Sequence, residues 1–271
     1  MQNQILENTL LTDLSNEDYH ANKTHLSSSC FKAILKDLSR FHKEWVLGKK
    51  EHREPSSALI EGSYAHTLLL EPHLAHKEYA IWNEWHKRGK AFQEFKASTD
   101  LPILSEAQVK KVQSWVKSIK RLEPLQELVT GGIAEASLFT NLYDLPIKVR
   151  FDYIIPEKGI IFDLKTSRKE VDPESFTRTV EEYGYHVSAA LYLDAAEKHY
   201  GRPFKFYYGA ISKTDINSEI YVLSESKRTE GRDLLLKAAK KYKSALATNN
   251  WVEEKKYISF ENKSNYEILE I

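Results

Sequence analysis

The stretch FDYIIPEKGIIFDLK, residues 151–165, carries more structural information than any other part of the chain. Two apolar runs flank the turn PEKG, and a turn that begins with proline and ends with glycine is typical of a β-hairpin. Pairing of Ile155 with Ile160 closes this hairpin. In that register Asp152 lies directly opposite Asp163, whereas a shift of one residue would separate them.

Strand alternation gives the predicted hairpin one charged face and one apolar face. The charged face carries Arg150, Asp152, Asp163 and Lys165. Directly opposed carboxylates are destabilising because their Cβ atoms lie about 5 Å apart, and a divalent cation would offset the repulsion. The alternative is a surface ion network, in which the two carboxylates pair only with the arginine and the lysine. The apolar face, predicted to face the core, consists of Phe151, Tyr153, Ile155, Ile160, Phe162 and Leu164.

The composition is that of an ordinary globular protein without a strong overall charge. The chain has 271 residues with 39 basic and 39 acidic side chains, so its formal net charge at pH 7 is zero. No global field would hold it on nucleic acid or on an anionic membrane. The single cysteine, Cys30, excludes an internal disulfide, a cysteine-rich zinc module and an iron–sulfur cluster. No basic leader or long apolar run is visible, so we expect a cytoplasmic protein that does not enter a membrane.

Hydrophobic periodicity predicts one domain over residues 1–271, mainly helical over 1–130, with a sheet core over 131–223 and a C-terminal helix and tail over 224–271. The predicted fold is α/β, bordering on α+β, with a central mixed sheet flanked by helices. Helices are predicted after Ser27–Ser29, over 57–70, over 85–97, from Ser105 to Pro124, and over 173–181, 186–199 and 234–246. Strands are predicted over 134–139, 147–155, 159–165, 204–211 and 219–223.

The hairpin carries side chains that suit phosphodiester hydrolysis. Mg²⁺ prefers oxygen ligands and usually takes one or two carboxylates from a protein. Asp152 and Asp163 supply that pair, and the main-chain carbonyl of Leu164 could add a further ligand. Lys165 would lie on the same face, where an ammonium group can orient or deprotonate water or neutralise charge on a phosphate. Together these groups predict metal-dependent hydrolysis of a phosphodiester.

The hairpin resembles the signature of the PD-(D/E)XK nucleases, because Asp152 is followed by Asp163-Leu164-Lys165 on a second strand. Phe151 stands where that signature has proline. The chain is also similar, over about residues 19–246, to the nuclease domain of exonuclease VIII, the RecE-type 5′-to-3′ double-strand DNA exonucleases of phages and prophages. Three further segments carry this similarity: YH at 19–20 with SSS at 27–29, GSYAH at 62–66 with LEP at 70–72, and YHVSAALY at 185–192.

The resemblance implies a role for individual residues of the site. Asp152 and Asp163 match the metal-binding acids, and Lys165 matches the catalytic lysine. His66 is similar to a histidine that helps to hold the metal, and Glu135 resembles the acidic residue on the first core strand. Without the resemblance, the histidine would be interpreted as a helix residue packed beside a tyrosine.

The segment YHVSAALY departs from the family pattern. Tyr192 matches the tyrosine of a Gln-x-x-x-Tyr motif, but Ser188 stands where glutamine is expected. Serine keeps a hydroxyl group but lacks the reach and the amide of glutamine, so the role of this helix toward metal or DNA is an open point.

Several residues are predicted to contact DNA. Ser27, Ser28 and Ser29 stand at a helix N-terminus, which suits a phosphate, although helix capping alone would explain them equally well. Three residues just after the lysine are placed to contact the strand that is cut. The complete set of predicted DNA contacts is Ser27, Ser28, Ser29, Arg150, Thr166, Ser167, Arg168, His186 and Tyr192.

The resemblance implies a Mg²⁺-dependent exonuclease, with Mn²⁺ able to substitute, that degrades linear duplex DNA from its 5′ end. The product would be a 3′ single-stranded tail for a strand-annealing protein. A ring-shaped homo-oligomer, a trimer or a tetramer, would enclose the DNA. Two alternatives stay open: a structure-specific or restriction-like endonuclease on the same core, and a catalytically inactive DNA-binding protein of the same fold.

Overall fold

A mixed β-sheet forms the centre of the protein in the computed structural model, which describes residues 8–49, 54–83 and 87–252. The strands are β1 (Leu10–Leu11), β2 (Ala80–Trp82), β3 (Ile103–Ser105), β4 (Ile133–Leu142), β5 (Leu145–Ile155), β6 (Ile160–Ser167), β7 (Lys205–Ser212) and β8 (Ser218–Val222). Six of them form the central sheet in the order β1-β4-β5-β6-β7-β8, and β2 and β3 form a separate parallel pair.

Helices cover both faces of the central sheet. The α-helices are α1 (Asn16–Ala21), α2 (Ser28–Lys36), α3 (Leu38–Phe41), α4 (Ser57–Leu70), α5 (Ala75–Glu78), α6 (Lys90–Ala97), α7 (Glu106–Ile119), α8 (Leu125–Leu128), α9 (Pro173–Tyr183), α10 (Tyr185–Tyr200) and α11 (Glu225–Thr248). A π-helical turn spans His42–Val46, and a 3₁₀ turn spans Pro72–Leu74. In the described part of the chain, no helix combines the length and the apolar character needed to cross a membrane.

The strand connections confirm the predicted fold class. β4, β5 and β6 form an antiparallel meander, and the α9–α10 pair then crosses over to β7, which pairs parallel with β6. β8 closes the far edge antiparallel to β7. The sheet is therefore mixed, with helices on both faces, as the α/β prediction requires.

Two hydrophobic cores lie on opposite faces of the sheet. The first core packs α2, α10 and α11 against one face, and the second packs α4, α7 and α8 against the other. Large fully buried side chains of the first core are Phe31, Phe41, Phe151 and Phe206. Large fully buried side chains of the second core are Trp115, Phe162, Leu104 and Ile119.

The hairpin register is confirmed, but the predicted single apolar face is wrong. Ile155 pairs with Ile160, and the next two steps follow the same register. Phe151 packs in the first core, whereas Tyr153 packs in the second, although both were assigned to one face. The alternation of β5 changes phase between these two residues, and because both faces of the sheet are covered, each phase still buries an apolar side chain.

The other elements differ from the predictions in several places, and the short helices α1, α3, α5 and α8 were not predicted. The last helix begins at Glu225, not at 234, because Ser224 caps it and its first turns are polar. The segment predicted as a helix over 85–97 is helical from Lys90, and residues 84–86 lie outside the described part. β1, β2 and β3 were missed, since strands of two or three residues are too short to show a period. The tail predicted to be peripheral lies outside the described residues beyond position 252.

Candidate metal and catalytic site

Two charged residues of the hairpin, Arg150 and Lys165, line a cleft of about 780 Å³. Its lining comes from residues 12–16, from α4, from β4, β5 and β6, and from the residues that begin α10 and follow β7. The cleft is thus built where one edge of α4 approaches the ends of three neighbouring strands.

Three potential metal ligands converge in this cleft. One ligand atom from each of His66, Glu135 and Asp152 lies within 4.8 Å of the others. Nδ1 of His66 lies 3.1 Å from Oδ2 of Asp152. An imidazole and two carboxylates form a donor set that suits Mg²⁺ or Mn²⁺, so the residues present fit a divalent cation.

The backbone presents these ligands from three different elements. His66 stands on α4, Glu135 on β4 and Asp152 on β5. Glu135 has a positive φ of 48°, which is uncommon for a residue other than glycine. Such a conformation is often retained where function requires a side chain to point in an unusual direction. Here it coincides with the phase change of the neighbouring strand and turns the carboxylate toward the cleft.

The electrostatic environment keeps Asp152 ionised. Burial raises the pKa of this carboxyl, but His66 and Lys165 outweigh it by their charge, as does the hydrogen bond from the Leu164 N–H (3.0 Å). The net result is a pKa of about 2. Burial lowers the pKa of His66, yet the neighbouring Asp152 carboxylate raises it above its ordinary value. His66 and Asp152 therefore stabilise each other's charged forms.

Asp163 and Lys165 form a second, buried pair beside the three ligands. Asp163 is only 6% exposed and makes an ion pair with the Lys165 ammonium group. Burial raises the pKa of Asp163 to about 6, and the nearby Asp152 carboxylate adds to this rise. Burial lowers the pKa of Lys165, but the two aspartates raise it to a net value above its ordinary one. These carboxylates do not belong to a solvated surface network, which was the alternative interpretation of the hairpin.

The sequence comparisons agree with this geometry. Residues 27–259 match a family described as a PDDEXK-like domain of unknown function (DUF3799). The chain belongs to this PDDEXK-like family. No curated protein matches the chain by sequence.

A solved structure shows the same fold. A candidate exonuclease from Eubacterium rectale matches with a TM-score of 0.64 and 20% identity, over 89% of this chain and 88% of that one. At this identity the match establishes the fold only. A phage-related exonuclease from Haemophilus somnus 129PT is 9% identical over 83% of this chain and 96% of that one, with a TM-score of 0.37, and we base no argument on it.

Arg150 stabilises the PDDEXK-like site from within the protein. Its Nε donates to Glu135 at 2.7 Å. Its Nη1 donates to the carbonyl oxygens of Leu14 and Ser15 at 3.0 and 3.4 Å. The side chain is 14% exposed. The structure therefore gives Arg150 partners within the protein where a DNA contact was predicted.

The three serines predicted to contact DNA differ in their exposure to solvent. Ser27 is the N-cap residue of α2, but its side chain makes no capping bond and instead contacts Ser29 Oγ at 2.8 Å. Ser28 is buried and hydrogen-bonds to Tyr192. Only Ser29 of the three is exposed, and its hydroxyl group is the one that contacts Ser27.

The helix α10 was predicted to offer two DNA contacts, and the structure does not bring them to the surface of the cleft. His186 is 3% exposed and its Nδ1 lies 3.2 Å from the Val180 carbonyl oxygen, between α9 and α11. This burial contradicts a DNA contact at His186. Tyr192 packs against Phe151 with a ring-centroid distance of 5.7 Å, so it supports the strand that carries Asp152. Ser188 is half-buried on the same helix.

The three residues after Lys165 lie at the end of β6 and just beyond it. Thr166 lines the cleft, as does Leu164, whose carbonyl was predicted to bind metal. Ser167 accepts a hydrogen bond from the Lys169 N–H at 2.9 Å, and Arg168 is exposed. These positions are compatible with contacts to a bound strand, and the contacts themselves stay predictions.

Sequence reasoning missed two residues of the cleft. Tyr185 lines the cleft, and its ring centroid lies 5.1 Å from Lys165 Nζ in a cation–π contact. Lys213, which directly follows β7, also lines the cleft. Tyr185 lay inside the quoted motif YHVSAALY, so it could have been found there, whereas no local pattern distinguishes Lys213.

Proposed function

We propose that this protein is a Mg²⁺-dependent exonuclease that degrades one strand of linear duplex DNA from its 5′ end and leaves a 3′ single-stranded tail. The observation that supports this most strongly is the convergence of His66, Glu135 and Asp152 beside the buried pair Asp163–Lys165 in one cleft. The RecE-type resemblance of the sequence supports the polarity and the duplex substrate.

His66, Glu135 and Asp152 would hold the cation, with Asp163 beside them. A bound divalent cation supplies Lewis-acid stabilisation of phosphate oxygens and lowers the pKa of a bound water. Mn²⁺ would substitute, because it accepts the same imidazole and carboxylate ligands.

Lys165 acts as a fixed positive charge. The two aspartates raise its pKa, so the ammonium group stays protonated at neutral pH. A charged lysine donates hydrogen bonds to the phosphate oxygens and stabilises the negative charge that develops in the transition state. Asp163 and the ring of Tyr185 hold the ammonium in place before substrate arrives.

The test is a digestion assay on 5′-phosphorylated linear duplex with Mg²⁺, using strands labelled at either end. We expect wild type to release the 5′ label first, and we expect Lys165→Ala and Asp163→Asn to lose about 10²–10³-fold in rate, as for removal of a single preorganised charge. Lys169→Ala is the matched control. Lys169 lies two residues beyond the end of β6, the strand that carries Lys165, and pairs with Glu182 at the surface.

Two results would contradict the proposal. Equal activity of wild type and both site variants would exclude the assigned residues, and cleavage of covalently closed circular duplex would identify an endonuclease instead. Absence of cleavage with both Mg²⁺ and Mn²⁺, together with DNA binding, would identify an inactive binding protein of this fold.

We infer further that three or four copies assemble into a ring around the duplex and that a strand-annealing protein receives the product. This part rests on the resemblance alone. Light scattering of the purified chain coupled to gel filtration measures the mass, and a monomer at micromolar concentration would argue against the ring.

A further inference from the structure

Lys213 lies in the catalytic cleft, and none of the roles assigned above uses it. β7 ends at Ser212, and the Lys213 N–H donates to the Ser167 carbonyl oxygen at 2.7 Å. This bond extends the pairing of β6 and β7 by one step beyond their last paired residues. The fold therefore fixes the backbone of Lys213 beside the end of the strand that carries Lys165.

The two ammonium groups of the cleft are held in different directions. Lys165 pairs with Asp163 and contacts the ring of Tyr185. Lys213 Nζ donates to the Ala58 carbonyl oxygen on α4 at 3.3 Å and lies 5.3 Å from the ring centroid of Trp115. In the parallel register Lys213 stands three residues beyond the level of Lys165, or about 10 Å along the strands. One phosphate would not contact both ammonium groups in these positions.

A purely structural role for Lys213 would be to neutralise the buried Glu61, but that carboxylate already has closer partners. Lys111 Nζ lies 2.8 Å from Glu61 Oε1, and the side-chain amide of Gln108 donates to the same oxygen at 2.8 Å. Burial lowers the pKa of Lys213; Glu61 opposes this, and Arg168 and Lys111 add to it. The partly buried ammonium group therefore lies near two other cations and near one carboxylate that already has closer partners, so an anionic ligand would stabilise it.

Thr166 and Gly62 line the same cleft as Lys213. A Cβ atom at Gly62 would lie 3.3 Å from Thr166 Oγ1, tighter than an ordinary contact, so glycine at this position lets α4 pack closely beside the hydroxyl group. A hydroxyl donor and an ammonium donor that line one cleft suit a phosphate oxygen.

We propose that Lys213 and Thr166 bind a backbone phosphate of the nucleic-acid strand, next to the phosphate that is hydrolysed. The ligand is a phosphodiester of the same bound strand, so this inference rests on the proposed nuclease function. Lys213 positions the strand and takes no part in the chemical step.

The salt dependence of DNA binding tests this role. Binding of a labelled linear duplex is measured by fluorescence anisotropy over a series of KCl concentrations, with Ca²⁺ present. Each phosphate contact contributes about 0.9 to the slope of log K against log salt, so Lys213→Gln should weaken binding and reduce that slope by about 0.9. Lys213→Arg should retain the wild-type slope, because it keeps the charge.

Lys111→Gln is a matched control. Lys111 lies 5.2 Å from the same Trp115 ring and contacts the same Glu61, but it is absent from the cleft lining. We expect its removal to lower thermal stability and to leave the salt slope unchanged.

The outcomes separate this inference from the proposed function. If wild type binds and digests duplex DNA but Lys213→Gln has an unchanged salt slope, the phosphate contact is refuted and the nuclease assignment remains intact. An equal loss of slope in Lys111→Gln would also overturn it, by showing a general charge effect. Wild type without any DNA binding would overturn both.

Discussion

The opposed carboxylates of the hairpin should make the metal-free protein less stable as the pH rises. Asp163 has a pKa of about 6 in the folded protein and an ordinary value of 3.8 in an unfolded chain. Between these values the folded state binds more protons than the unfolded state. The free energy of unfolding therefore falls as the pH rises through this window.

The size of the effect follows from the pKa difference. A shift of one pKa unit corresponds to 1.36 kcal/mol, so Asp163 should lower the free energy of unfolding by about 2 kcal/mol between about pH 4.5 and about pH 6.5. Asp152 adds little to the pH dependence of the free energy of unfolding in this range. Its pKa is lowered to about 2, so its contribution is lost only as the pH falls below the ordinary value of 3.8.

Urea denaturation of wild type and Asp163→Asn at the two pH values, with EDTA present, measures this difference. We expect the variant to gain about 2 kcal/mol relative to wild type as the pH rises. Asp144→Asn, at a carboxylate whose side chain is 90% exposed, should show no such relative change. Addition of Mg²⁺ at the higher pH should stabilise wild type and not Asp163→Asn. A difference between wild type and Asp163→Asn that is independent of pH would refute the reasoning.

Two further substitutions test the packing and the site. A Cβ atom at Gly231 would lie 2.4 Å from the His186 carbonyl oxygen, so Gly231→Ala should lower the free energy of unfolding by about 1–3 kcal/mol or more, measured by urea denaturation. Leu246→Ala, on the exposed side of the same helix, should change it far less, and an equal effect would contradict the packing argument. Tyr185→Leu should lower kcat about 2- to 5-fold by removing the ring over Lys165, whereas Tyr185→Phe should retain kcat; a loss in both would point to the hydroxyl group instead.

Local sequence patterns predicted the longer helices and strands and placed the charged residues of the hairpin. The turn PEKG between two apolar runs set the register of the hairpin, which the structure confirms from Ile155 and Ile160 onward. The spacing of Asp163 and Lys165 placed both side chains on one face, because strand alternation is a local property. Helix periodicity likewise identified α7, whose apolar residues recur along one side.

The resemblance to a known family, not periodicity, identified His66 and Glu135 as ligands. His66 lies on α4, far along the chain from Asp152, and no local rule predicts their approach, whereas Glu135 lies on β4, the strand that pairs with β5. The left-handed backbone of Glu135 is likewise a response to the neighbouring strand, since glutamate has no intrinsic preference for it.

The sequence by itself therefore determined the hairpin, its charged residues and the mixed fold, because these depend on interactions between near neighbours in the chain. Tertiary structure alone decided that His186 is buried against α11 and that Lys213 enters the cleft. Each of these depends on which element packs against which, and packing between distant segments is set by the fit of whole surfaces.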